Sequence, residues 1–170
     1  SFFSKTIPPS LCMLSDKKKF FLKVFHQVRP KEVESVKNFY NSENINAEVS
    51  NFFDNLPVLL NSSHLIISRS GASTVSEISA IKRPAILIPF PDSIDSDQKL
   101  NALNLQDTGQ VVMCDQKDVD SEWFFKKINE LIDSPNTLKE MIKITNSKVY
   151  NDGAQNITKL IKSFEVKVEN

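Results

Sequence analysis

Three glycines in 170 residues leave this chain with little of the residue that usually lines phosphate-cradling loops. Charge of either sign is also not in excess, since Lys+Arg and Asp+Glu both number 21. Nucleic-acid binders carry a basic surplus, so composition offers no case for a nucleic-acid partner. No apolar run approaches the roughly 18 residues of a membrane span, and the N-terminus has no basic-then-apolar signal segment. The two cysteines, Cys12 and Cys114, lie far apart without metal-type spacing. They read as a reduced pair in a cytosolic protein, with a single disulfide as the alternative. What remains is ordinary for a soluble globular protein, 40% hydrophobic and 25% charged, with 12 phenylalanines. The length suits one domain with a substantial core, residues 1–170.

Apolar periodicity alternates between strand and helix. Ser1 to Leu14 carries an approximate helical face that Pro8-Pro9 should shorten or restart. Lys17 to Lys19 reads as a charged loop, and Phe20 to Gln27 as a strand buried on both faces. His26 falls at the end of that strand, either as a packed structural histidine or facing a ligand. Lys31 to Tyr40 is a helix, Ile45 to Val49 a strand, and Leu56 to Asn61 a short helix. Ala85 to Phe90 is a buried strand closed by prolines, followed by an acidic loop from Asp92 to Asp97. Asp92, Asp95 and Asp97 lack the glycine and bidentate glutamate of a calcium loop. A helix from Gln98 to Asp107 stops at Gly109, and Gln110 to Cys114 is a strand. Ser121 to Ile132, Pro135 to Val149 and Asn156 to Phe164 close the chain as amphipathic helices. This alternation predicts an α/β fold, a Rossmann-like doubly wound parallel sheet.

The most informative stretch is His64 to Glu77. It reads as a short apolar strand, a turn of small residues at Ser70, Gly71, Ala72 and Ser73, and the first turns of a helix through Thr74 and Glu77. Small side chains let a ligand approach the backbone, and free N–H groups at a helix start favour an anion such as a diphosphate. A carboxylate would repel that anion, so Glu77 fits better one turn further in, accepting from the hydroxyls of a ribose. Thr74 to Glu77 is equally a capping box, which needs no ligand.

Three strings in this region, Ser68-Arg-Ser-Gly-Ala-Ser-Thr-Val-Ser-Glu77, Pro84-Ala-Ile-Leu-Ile-Pro-Phe-Pro91 and Asp97-Gln-Lys-Leu-Asn-Ala102, closely resemble the C-terminal domain of the MurG family. That family transfers GlcNAc from UDP-GlcNAc to the undecaprenyl-pyrophosphoryl-MurNAc-pentapeptide lipid of peptidoglycan synthesis. The resemblance implies the C-terminal half of a GT-B glycosyltransferase, inverting, independent of metal and cofactor, and acting at the cytoplasmic face of the plasma membrane. It implies diphosphate contacts from Ser70, Gly71, Ala72, Ser73 and Thr74, and ribose contacts from Glu77. Backbone atoms of Phe53 would read uracil, although an aromatic covering the core explains Phe53 equally well. Arg69 would stabilise the leaving diphosphate or else pair with a carboxylate. Asp97 and Gln98 would contact the sugar, but Asp97 departs from the family, which carries a His or Gln there. Val28-Arg29-Pro30 departs too, because a small residue and glycine follow His-Gln in the family.

The resemblance also implies what is not in this chain. A first strand with its glycine loop, and an acceptor-binding domain holding the catalytic base, would lie elsewhere. The expectations are then a sheet with a gap, no catalytic residue in this chain, and no transferase activity by the chain alone. Two other readings share the residues. One is a separate catalytic subunit of a split lipid-linked UDP-GlcNAc transferase, the other a non-catalytic nucleotide-sugar-binding module.

Overall fold

Helix α1, Phe2–Cys12, runs straight through Pro8 and Pro9 in the computed structural model, which describes residues 1–91 and 97–147. Two prolines each delete a backbone hydrogen bond. Burial outweighs that loss, because Ile7, Pro8 and Leu11 all lie inside the protein. Local hydroxyls help: Thr6 donates to Phe2 O at 2.9 Å and Ser10 to Ile7 O at 2.7 Å.

The expected charged loop at Lys17 to Lys19 is instead a short helix, α2, Asp16–Phe21. Asp16 sits in its first turn and lysines in its last, as the helix dipole favours. Lys18 reaches Asp133 at 2.6 Å and Lys19 reaches Glu43 at 3.5 Å, so these charges are paired rather than merely solvated. Strand β1, Lys23–Gln27, consequently starts later than periodicity suggested, and Phe20 and Phe21 are 79% and 78% exposed. Of β1 only His26 is buried, so the strand is not enclosed on both faces. Lys23, Phe25 and Gln27 alternate onto a more open face.

After a single 3-10 turn at Pro30–Glu32 come α3, Val33–Ser42, β2, Asn46–Ser50, and α4, Leu56–Ser62. The central unit is β3, Ile66–Ser68, with α5, Ala72–Ile81, and β4, Ala85–Leu87. Next are α6, Asp97–Gln106, β5, Val111–Met113, α7, Ser121–Asp133, and α8, Pro135–Ser147. Most of the acidic loop, residues 92–96, lies outside the described residues, as do the last two residues of the penultimate predicted helix and the whole Asn156–Phe164 helix.

Strands pair in parallel throughout, but in two sheets: β1 with β2, and β3-β4-β5. One hydrophobic cluster joins them. Val24, Ala47, Val49, Ile67, Ile86 and Ile88 face a layer made by Ile7 and Leu11 of α1, Val36 and Tyr40 of α3, and Phe124 and Ile128 of α7. The alternate residues Ile66, Ala85, Leu87 and Val111 face Ile78 of α5 and Leu105 of α6 in a second cluster. Crossovers are right-handed, so helices on opposite faces wind their strands in opposite directions. The β1-β2 pair and the β3-β4-β5 sheet are therefore wound in opposite senses. The expected doubly wound, parallel α/β arrangement is present, with its hydrogen bonding interrupted between β1-β2 and β3-β4-β5.

Candidate donor-binding site

Where an open α/β sheet reverses direction, the loops at the carboxyl ends of its strands form a crevice. Here those loops follow β1, β2 and β3. Most of the residues singled out from sequence lie at that end of the sheet.

Helix α5 begins at Ala72 with Gly71 as its N-cap, and no side chain caps it. Gly71 O accepts from Val75 N at 3.0 Å, which leaves the amides of Ala72, Ser73 and Thr74 as the open donors of the first turn. Ala72 and Ser73 are exposed, and a Cβ placed on Gly71 would meet nothing within 4 Å. The capping-box reading of Thr74 and Glu77 is not realised, because the helix starts three residues before the spacing implied. Glu77 projects from its second turn, exposed, and no hydrogen bond or ion pair engages it among the described residues.

Ser70 behaves differently from its neighbours. It is fully buried, and its hydroxyl donates to Gln98 O at 2.7 Å while Asn101 Nδ2 approaches Ser70 O at 3.4 Å. That hydroxyl ties the start of α5 to the start of α6, leaving its proton committed within the protein. Arg69 is also engaged, and among the described residues no carboxylate pairs with it. Its Nη1 donates to Ile88 O and Pro89 O, both at 3.1 Å, and its Nη2 to Gln116 Oε1 at 2.6 Å. The rings of Phe3, Phe2 and Phe90 lie 5.0, 5.3 and 5.4 Å from the guanidinium carbon, within cation–π range. Burial lowers its pKa from the usual arginine value.

Gln98 Oε1 accepts from Phe90 N at 3.0 Å, which turns its amide NH₂ away from the Phe90 turn. Asp97 is exposed at the first position of α6. A pocket of about 220 Å³ lies beside these residues, lined by Pro89, Phe90, Pro91, Lys99, Asp115, Gln116 and Lys117. Phe53 sits in the loop after β2, its ring buried against Phe25 at 6.3 Å with an edge-on geometry. Its core role is thus realised, while its backbone N–H takes no partner among the described residues. His26 is the packed structural histidine of the two readings, buried with Nδ1 2.9 Å from the Tyr40 hydroxyl.

Sequence reading missed the parts played by Gln116 and Phe90. Gln116 meets Arg69 across 47 residues, a pairing with no local pattern to announce it. For Phe90 the flanking Pro89 and Pro91 were the available signal, since a strand cannot continue through them.

Residues 3–157 match the family described as the glycosyltransferase family 28 C-terminal domain. The chain belongs to that family. Among relatives of this family 28 domain, the UDP-N-acetylglucosamine--N-acetylmuramyl-(pentapeptide) pyrophosphoryl-undecaprenol N-acetylglucosamine transferase of Sinorhizobium fredii is 38% identical over 162 residues, 95% of this chain and 43% of that protein. The protein of the same name from Rhodospirillum rubrum is 36% identical over 159 residues, 94% of this chain and 41% of that one. The family 28 domain thus spans less than half the length of these relatives. The crystal structure of Acinetobacter baumannii MurG superposes with a TM-score of 0.81 at 26% identity, over 95% of this chain and 46% of that one. Glycosyltransferase VinC, solved with DTDP, shares the fold at a TM-score of 0.59 and 15% identity, over 83% and 33% of the two chains. The MurG resemblance and the GT-B C-terminal fold read from the sequence both hold.

Proposed function

We propose that this family 28 domain is the donor-binding half of an inverting glycosyltransferase. It binds UDP-GlcNAc for transfer to a lipid-linked MurNAc-pentapeptide, the activity for which its relatives are named. The observation that carries the reading is the open start of α5 at the carboxyl end of β3, beside a Glu77 that has no partner among the described residues.

In this reading the amides of Gly71, Ala72, Ser73 and Thr74 face the diphosphate, aided by the positive end of the helix dipole. Glu77 accepts from the two ribose hydroxyls, and the Phe53 backbone N–H meets uracil. The Gln98 NH₂ donates to a sugar hydroxyl and the Asp97 carboxylate accepts from one. Transfer forms a bond from an acceptor oxygen to the anomeric carbon and breaks that carbon's bond to the diphosphate. The acceptor proton passes to a base outside this chain, and UDP leaves with its charge held at α5. Positioning an acceptor requires a second half, in keeping with the share of its relatives that the chain covers. Among the described residues no helix is long and apolar enough to cross a membrane. The domain would meet its acceptor as a peripheral protein at the cytoplasmic face.

The test is a calorimetric titration of the chain with UDP-GlcNAc and with UDP. Glu77→Ala should weaken both by about 1–3 kcal/mol, the scale of lost charged hydrogen bonds. Unchanged affinity in a folded variant rules out the ribose role.

A further inference from the structure

Arg69 stands two residues before the proposed diphosphate cradle, yet its guanidinium is turned into the protein. Two of its bonds go to the Ile88 and Pro89 carbonyls, just past the end of β4. Ile88 N still donates to Ser68 O at 2.9 Å, so β4 and β3 stay zipped to that point. Beyond it Pro89 has no N–H to offer, and Arg69 supplies the donors that lead the chain out of the sheet. Its third bond, to Gln116, ties in the segment after β5.

The turn held in this way is bonded to the start of α6. Phe90 N donates to Gln98 Oε1, Gln98 O accepts from the Ser70 hydroxyl, and Ser70 adjoins Arg69 in the chain. The result is a closed circuit from Arg69 through Pro89, Phe90, Gln98 and Ser70 back to Arg69. Within it the Gln98 amide has one orientation, carbonyl toward Phe90 and NH₂ turned away, with no partner for that NH₂ among the described residues.

We propose that Arg69 is a positioning residue, acting through the Phe90 turn to fix the Gln98 amide for the sugar, and that it does not contact the donor's diphosphate. The inference rests on the donor-site reading above and assigns Arg69 to the sugar end of that site. A planar fork is needed to bridge two successive carbonyls and a carboxamide, and three ring faces surround it. An ammonium keeps the charge but cannot make those bonds together.

Titrating the full chain with UDP and with UDP-GlcNAc separates the roles, because only one ligand carries the sugar. Arg69→Lys should weaken UDP-GlcNAc by about tenfold, the equivalent of one good hydrogen bond, and change UDP by less than about twofold. Gln116→Leu, which removes one of the three bonds, should show the same sugar-only pattern at smaller size. It also decides the matter if Arg69→Lys fails to fold, since an unaltered UDP-GlcNAc affinity in Gln116→Leu overturns the proposal. In a Gln98→Ala background, Arg69→Lys should add no further loss. Equal weakening of both ligands, no weakening of either, or full additivity with Gln98→Ala each overturns the positioning role. Failure of the unaltered chain to bind UDP or UDP-GlcNAc overturns the donor-site reading itself, a distinct result.

Discussion

His26 Nδ1 lies 2.9 Å from the Tyr40 hydroxyl, joining the end of β1 to the last turns of α3 inside the core. Burial holds the imidazole pKa down to about 4, against an ordinary value of 6.5. The neutral ring is therefore the folded form, and its contribution is complete above pH 6.5. That contribution is lost as pH falls from 6.5 toward 4, where the unfolded chain takes up the proton first. The linkage is worth as much as about 3 kcal/mol at its limit. Urea unfolding of the protein and of His26→Gln at pH 7 and pH 4.5 checks it. The difference between their slopes in this window should belong to His26, and parallel curves would contradict it.

How much of this was legible beforehand depended on the range of the interactions involved. The strand-turn-helix at 64–77 announces itself through local spacing, because a short apolar strand and a period of 3.6 need only neighbouring residues. α1 and α2 were misread for the opposite reason. The prolines of α1 are overruled by burial of Ile7 and Leu11, and the lysines of α2 are paired by Asp133 and Glu43 from far along the chain. Site residues divide the same way. Glu77 lies exposed on α5 with no partner among the described residues, whereas Ser70 and Arg69 carry side chains committed to partners 19 to 47 residues away.

Gln110 closes the far end of α5. Fully buried, it donates from Nε2 to Ile78 O at 2.8 Å, which also accepts from Lys82 N, and to Arg83 O at 2.9 Å, tying the end of α5 to the start of β5. Gln110→Ala removes both bonds, takes from Arg83 O its side-chain donor and opens a cavity, for a cost of about 2–4 kcal/mol. Gln110→Glu should cost more at neutral pH, because a carboxylate then faces two carbonyls, and should recover in part in acid as the group regains a donor. Thermal melts of both variants at two pH values test the ordering.

Lys82 ends α5 in the left-handed region, at φ 56° and ψ 38°, where a side chain carries a steric penalty that glycine avoids. Its amide still donates to Ile78 O at 3.0 Å, so the backbone geometry serves the helix end. Lys82→Gly should stabilise the protein by about 0.5–1 kcal/mol, less the extra freedom glycine has when unfolded. A lower unfolding midpoint in urea would count against the strain argument.

Asp97 opens α6 with an exposed carboxylate, where the helix dipole favours negative charge whether or not a ligand is present. The dipole alone predicts that Asp97→Asn loses about 0.3–1 kcal/mol of stability and changes no affinity. The sugar-contact reading predicts an added effect on UDP-GlcNAc with none on UDP, because the amide exchanges an acceptor-only group for one that also donates. Stability and the two affinities, measured on the same variant, separate the readings. A loss of stability with both affinities intact confines Asp97 to its helix. A selective change in UDP-GlcNAc makes Asp97, alongside Gln98, a determinant of which sugar the domain accepts.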